Sequence, residues 1–253
     1  MSRLRRLMTA SALALAVSAP VGVLAQDTSA LTDAQKDAVR ALVRDTLVND
    51  PDILREAFAA LQAQEEKAQA ARQAEALKTH AKALYESPTD PVLGNPKGDV
   101  TVVEFLDYRC GYCKSVMDTV MDVVKEDGNV RFVIKEFPIL GPESVVAARY
   151  ALAARAQGKY APFHQALMKH RGAFTDESVR QIAKETGLNV DKLVKDAEDP
   201  ALQKELLANR ALAEALGISG TPAFAMGTIL IPGALNADTL KQAIAATRKA
   251  NKG

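Results

Sequence analysis

Val100-Thr101-Val102-Val103-Glu104-Phe105-Leu106-Asp107-Tyr108-Arg109-Cys110-Gly111-Tyr112-Cys113-Lys114 is the stretch whose reading decides the fold. Its first seven residues are β-branched and mostly apolar, which predicts a buried strand. A helical run follows from Lys114 to Lys125, and Val130-Arg131-Phe132-Val133-Ile134 reads as a second strand. Strand, helix, strand makes a βαβ unit, and such crossovers are right-handed. Two cysteines separated by two residues therefore sit where a strand turns into a helix.

That position has chemical consequences. A helix N-terminus offers unpaired backbone N–H groups and a positive dipole end, which favour a thiolate. Cys110, at the start of the turn, is expected to be exposed, and Cys113, one turn into the helix, to be shielded. The first is then the nucleophile and the second resolves the mixed disulfide. Other uses of the pair fit less well. Structural zinc takes four Cys or His ligands, and His80, His164 and His170 lack paired spacing. Haem attachment needs His directly after the second cysteine, where this chain has Lys114. A passive disulfide across two residues restricts the unfolded chain very little. No metal and no cofactor are expected.

Glu104 interrupts the apolar strand six residues before Cys110. It is either the exposed face of an edge strand or a buried carboxyl beneath the cysteines, able to exchange protons with Cys113. Asp107, after the strand, is expected to be solvated. Tyr112, between the cysteines, carries no charge at neutral pH.

Downstream, helices are expected at about 142–157, 160–170, 175–186, 190–197 and 201–216. A hairpin over 223–226 and 228–231 and a last helix at about 237–250 follow. Gly220-Thr221-Pro222-Ala223-Phe224 precedes the hairpin. X-Pro bonds are where cis peptides mostly occur, and a cis Thr221–Pro222 bond would leave the Thr221 backbone able to pair with an extended substrate.

Upstream, the chain changes character near residue 87. From Gln26 to Leu93 there is no glycine, and residues 57–83 contain eleven alanines, so helix is expected throughout. Thr32 offers an N-cap, Asp50-Pro51 a stop and restart. Val39, Leu42, Val43 and Leu47, then Ile53, Leu54, Phe58 and Leu61, form apolar stripes that need a partner surface. One helix over 51–86 would be about 54 Å long, with a polar stretch at 62–76. Burial against another copy is favoured over a hairpin folded onto its own domain.

Arg3, Arg5 and Arg6, the apolar run Leu7–Val23 and Val23-Leu24-Ala25 have the pattern of a cleavable secretory signal over residues 1–25. Export places the cysteines where disulfides form and persist; for a bacterial-looking signal that is the periplasm. The full chain of 253 residues is 48% hydrophobic and 25% charged, which excludes a wholly disordered or collagen-like protein. Its net charge of +1 gives no reason to expect a nucleic-acid partner.

Phe105–Lys114, Lys135-Glu136-Phe137-Pro138-Ile139-Leu140 and Gly220–Phe224 together resemble the DsbA-like branch of the thioredoxin superfamily, over about 90–250. The resemblance implies an α/β thioredoxin fold with a helical domain inserted at about 138–217. It implies that Pro222 is a cis-proline facing Cys110 and Cys113, and that Glu104 is the family's buried glutamate. Gly-Tyr between the cysteines departs from the Pro-His of strongly oxidising members. The arm over 26–86, ahead of the domain 87–253, resembles that of ScsC-type proteins (suppressor of copper sensitivity). Members with such an arm are trimeric disulfide isomerases or reductases. The expectation is a homotrimeric isomerase acting on cysteine-containing clients and kept reduced by a membrane thiol reductase of the DsbD/ScsB type. Cys110, Cys113 and Glu104 would carry the chemistry, and Thr221, Pro222 and Tyr112 the substrate. The alternatives are a monomeric DsbA-like oxidase and, from another class, a copper- or zinc-binding chaperone.

Overall fold

The structure is a computed structural model and describes residues 31–251; the expected leader lies outside them. The chain divides into a first unit ending at Gln62 and a second beginning at Ala63. Among the described residues no helix is long and apolar enough to cross a membrane.

The first unit holds helix α1 (Asp33–Asn49) and the first part of α2 (Pro51–Thr79). Thr32 caps α1 reciprocally. Its Oγ1 accepts from the Gln35 N–H at 3.3 Å, while Gln35 Oε1 accepts from the Thr32 N–H at 2.9 Å. Asp50 ends α1, with its N–H donated to Thr46 O, and Pro51 opens α2 where its missing N–H costs nothing. Helix α1 buries no residue, and Val39, Leu42, Val43, Phe58 and Leu61 remain exposed.

In the second unit, α2 breaks at His80 and a short α3 (Ala81–Tyr85) follows, so residues 51–86 are two helices rather than one. Leu77 and Leu84 are fully buried against the sheet unit, each worth about 1.5–3 kcal/mol of apolar burial. The sheet comprises β1 (Val92–Gly94), β2 (Val100–Leu106), β3 (Val130–Glu136), β4 (Ala223–Met226) and β5 (Ile229–Pro232), in the order β1-β3-β2-β4-β5. Strands β2 and β3 run parallel, bridged by α4 (Gly111–Asp127); the other pairings are antiparallel. Five helices separate β3 from the hairpin: α5 (Pro142–Ala153), α6 (Tyr160–Lys169), α7 (Asp176–Glu185), α8 (Val190–Ala197) and α9 (Pro200–Ala215). A 3-10 turn (Ala154–Gln157) joins α5 to α6, and α10 (Ala237–Ala250) ends the unit. This is a thioredoxin-like mixed sheet with a helical block between its third and fourth strands.

Alternation along the central strands splits the core in two. Val102, Leu106, Phe132 and Ile134 face α4 and the helical block. Val103, Phe105 and Val133 face Leu77, Leu84, Leu212 and Leu216. On this second face lies a buried ion pair, Lys135 Nζ to Asp90 Oδ2 at 2.6 Å, with Lys135 also donating to Ala83 O at 2.7 Å. Strand β1 was not expected; it is too short for a periodic signal and exists because Val92 and Leu93 pair with Val133 and Phe132.

Candidate active site

Cys110 is the N-cap of α4, with extended backbone angles and no side-chain capping bond. Its N–H is donated to Asp107 O at 3.0 Å, and its own carbonyl accepts the Lys114 N–H at 3.1 Å. The turn from β2 into α4 is thus closed at both ends, and the thiol takes no part in capping the helix. It faces the loop before β4: the Cys110 thiol donates to Thr221 O at 3.2 Å. The Thr221–Pro222 bond is cis, as the family resemblance implied. Pro222 is buried and Thr221 half-buried. Tyr112, at 71% exposure, stands out beside the pair.

Both cysteines are free thiols. Cys113 is sealed at 0% exposure, as its helical position predicts. Cys110 differs from its expected exposure: only 6% of its surface is open, because the 221–222 loop covers it. Burial and the nearby Glu104 carboxyl push the Cys113 thiol upward.

Glu104 is not on an edge strand. Strand β2 is central, with Glu104 opposite Ile134 of β3 and Phe224 of β4. The side chain is buried, and its Oε1 has no hydrogen-bond partner among the described residues. Burial, with Cys110 and Glu136 adding to it, pushes this carboxyl up to about 8. A carboxyl beneath the dithiol that gains and loses its proton near neutral pH can serve either direction of thiol exchange.

Asp107 also departs from expectation. It is 1% exposed, and its carboxylate accepts four hydrogen bonds: Arg109 N–H at 2.7 Å, Ile139 N–H at 2.8 Å, Leu140 N–H at 2.9 Å and Ser144 Oγ at 2.8 Å. It ties the cysteine turn to the loop entering α5. Arg109 reinforces this tie through Leu140 O and Glu143 Oε2. Gly141 closes the loop at φ +112°, where a Cβ would stand 3.3 Å from the Arg109 guanidinium. On the other side of the turn, Lys114 donates to His170 O at 2.5 Å and sits over the Phe174 ring, 5.1 Å from its centroid. Sequence reasoning missed Asp107 because three of its four hydrogen-bond partners lie 32–37 residues away; the strand residues alone give no sign of them. Among the described residues no three His, Cys, Asp or Glu side chains gather as metal ligands.

Comparison with known proteins shows the family and the fold. Residues 101–245 match the DSBA-like thioredoxin domain, and residues 35–68 match the copper resistance protein ScsC N-terminal domain. A thioredoxin-like oxidoreductase from Silicibacter pomeroyi DSS-3 is 47% identical, covering 66% of this chain and 97% of its own, with a TM-score of 0.65. Proteus mirabilis ScsC in a transitional conformation is 33% identical, covering 87% of this chain and 98% of its own, also at 0.65. Among curated relatives, an Na(+)/H(+) antiporter NhaA of Herminiimonas arsenicoxydans is 28% identical over 174 residues. That match covers 67% of this chain, but the chain spans only 28% of the antiporter's length.

Proposed function

Because the chain belongs to the DSBA-like thioredoxin family and carries an ScsC-type N-terminal domain, we propose that it is an exported thiol–disulfide isomerase and reductase for misoxidised client proteins. The observation that carries this reading is the asymmetry of the dithiol. Cys110 caps a helix with its sulfur toward the Thr221 carbonyl, while Cys113 is sealed near a buried Glu104 whose Oε1 has no partner among the described residues.

In this reading Cys110 is the nucleophile. Its thiolate attacks one sulfur of a client disulfide; a Cys110–client bond forms and the other client sulfur leaves as thiolate. If a second client thiolate attacks the mixed disulfide, a new client disulfide forms and Cys110 is released, with no net oxidation. If Cys113 attacks instead, it gives its proton to the Glu104 carboxylate, the client leaves reduced, and Cys110–Cys113 becomes a disulfide. Two electrons must then come from a thiol reductase, which for an exported protein is membrane-bound. Thr221 and Pro222 align the client backbone, and Tyr112 contacts it from the exposed side.

The arm supports an oligomeric form of the enzyme. Val39, Leu42, Val43, Phe58 and Leu61 are exposed in the single chain, a cost that association of three arms in closed symmetry would remove. The leader over residues 1–25 directs the chain to the periplasm. The chemistry is tested with Cys110→Ser and Cys113→Ser. The first abolishes insulin reduction; the second accumulates mixed disulfides because the resolving thiol is gone. Insulin reduction by Cys110→Ser at the wild-type rate would sink the assignment.

A further inference from the structure

A second buried carboxyl lies on the same sheet face as Glu104. Strands β2 and β3 are parallel and in register, with Glu104 opposite Ile134 and Leu106 opposite Glu136. The two glutamates therefore occupy adjacent strands, one side-chain repeat apart, with Cα atoms roughly 8 Å from each other. Glu136 is 1% exposed. Its Oε1 accepts from Tyr108 Oη at 2.7 Å and from Tyr160 Oη at 2.7 Å, while Oε2 has no partner among the described residues.

The protons of this cluster can be counted. Tyr108 also touches His164 Nδ1 at 2.9 Å. With its own O–H given to Glu136, the Tyr108 oxygen must accept, so His164 is the Nδ1–H tautomer. Burial holds that imidazole neutral, with its ionisation pushed down to about 4, and it stacks on Tyr160 at 5.6 Å. Every available donor is aimed at Oε1. An ionised Glu136 would be buried with two tyrosine hydroxyls on one oxygen and no donor on the other among the described residues, so burial disfavours its charge. Burial pushes Glu136 up to about 8, the range also reached by Glu104.

The charges around the two acids are few. Glu136 is faced by Tyr108 and Asp107 from the cysteine turn, by Tyr160 from α6 and by Arg155 from the 3-10 turn. Asn209 of α9 donates to its backbone carbonyl at 3.1 Å. Glu104 is faced by Cys110 and Glu136 and lies beneath Cys113. No cation stands between the carboxyls in this set, so a charge on one opposes a charge on the other.

We propose that Glu136 is a positioning residue for the resolving step: held by Tyr108 and Tyr160 beside Glu104, it governs when the carboxyl beneath Cys113 is charged and able to take the thiol proton. The step itself remains a transfer from Cys113 Sγ to Glu104. Glu136 keeps or loses its own proton and thereby opposes or permits the charge that Glu104 must carry. The inference rests on the proton-acceptor role proposed above for Glu104.

The test is the pH dependence of Cys113-driven release of a peptide from its Cys110 mixed disulfide, in the full mature chain. In the wild type the acid limb should be broad, because two linked carboxyls titrate across it. Glu136→Gln should narrow the limb to a single proton and move its midpoint down by about one pH unit. Glu104→Gln should slow release, and Glu136→Gln should add no shift on that background. A Glu136→Gln limb that overlays the wild type, while Glu104→Gln is slow, would overturn the inference and leave the Glu104 role standing. Release by Glu104→Gln at the wild-type rate would overturn both. Should Glu136→Gln fail to fold, carboxyl 13C shifts of labelled glutamate in the wild type decide. Linked movement of Glu104 and Glu136 above pH 6 supports the inference, and titration of Glu136 near the ordinary value of about 4.3 contradicts it.

Discussion

At the residue scale, two buried carboxyls near the cysteines do different things because hydrogen-bond donors reach them differently. Asp107 accepts four hydrogen bonds and braces the turn. Glu104 has no such shell and is displaced from its ordinary 4.5 to about 8. The fold accommodates its protonated form. Its contribution to stability is therefore complete below the unfolded value and lost as pH rises through about 8. Glu104→Gln should raise the thermal midpoint, with a gain that grows from pH 5 to pH 8.5 and reaches on the order of a few kcal/mol. A gain that shrank with rising pH in thermal melts would contradict this account. Asp107→Ala removes an acceptor and strands its donors, so urea unfolding should show a loss of about 3 kcal/mol or more; a loss under about 1 kcal/mol would mean that water replaces the brace. Glu104 was legible in the sequence because a carboxylate inside Val100–Leu106 has few places to go. Asp107 was not, since its donors at 139–144 meet it only after β3 is in place.

At the element scale, what could be read locally was read well. Val100–Leu106 carries strand residues over the whole of β2 and Val130–Ile134 over all but the last two residues of β3, Thr32 and Pro51 mark helix starts, and the two-residue cysteine spacing marks the entry to α4. What depends on a distant partner was not. Strand β1 has only three residues and owes its existence to β3. The break at His80 has no Gly or Pro to announce it; it bends the chain so that Leu77 and Leu84 both reach the sheet. Lys135 extends β3 past the expected strand end at Ile134 and is buried against Asp90. Burial raises the Asp90 carboxyl while Lys135 opposes that shift. Lys135→Met should cost about 3–5 kcal/mol, because it leaves a buried charge alone. The double change Lys135→Met with Asp90→Leu should recover most of that loss; denaturation curves showing no recovery would indicate that the salt bridge is not the source of the cost.

At the scale of the whole molecule, the proposed function divides between the arm and the thioredoxin unit. Residues from Ala63 onward hold the complete sheet, both cysteines and the Leu77 and Leu84 contacts. A chain beginning at residue 87 would lose those contacts, so Ala63 is the better place to cut. The mature chain from Gln26 should have three times its monomer mass by light scattering, and the chain from Ala63 one. In the proposed trimer, joining three dithiol sites through their arms would raise the concentration at which a client held by one Cys110 meets another. Isomerisation profits from repeated attack, whereas simple reduction needs one dithiol only. The most direct test compares scrambled-RNase refolding by the two chains, both reduced and at equal Cys110 concentration, with insulin reduction as the measure of intact dithiol chemistry. The account predicts equal insulin reduction by both chains and substantial RNase recovery by the chain from Gln26 alone. Equal RNase recovery by the chain from Ala63, or none by the chain from Gln26, would contradict it.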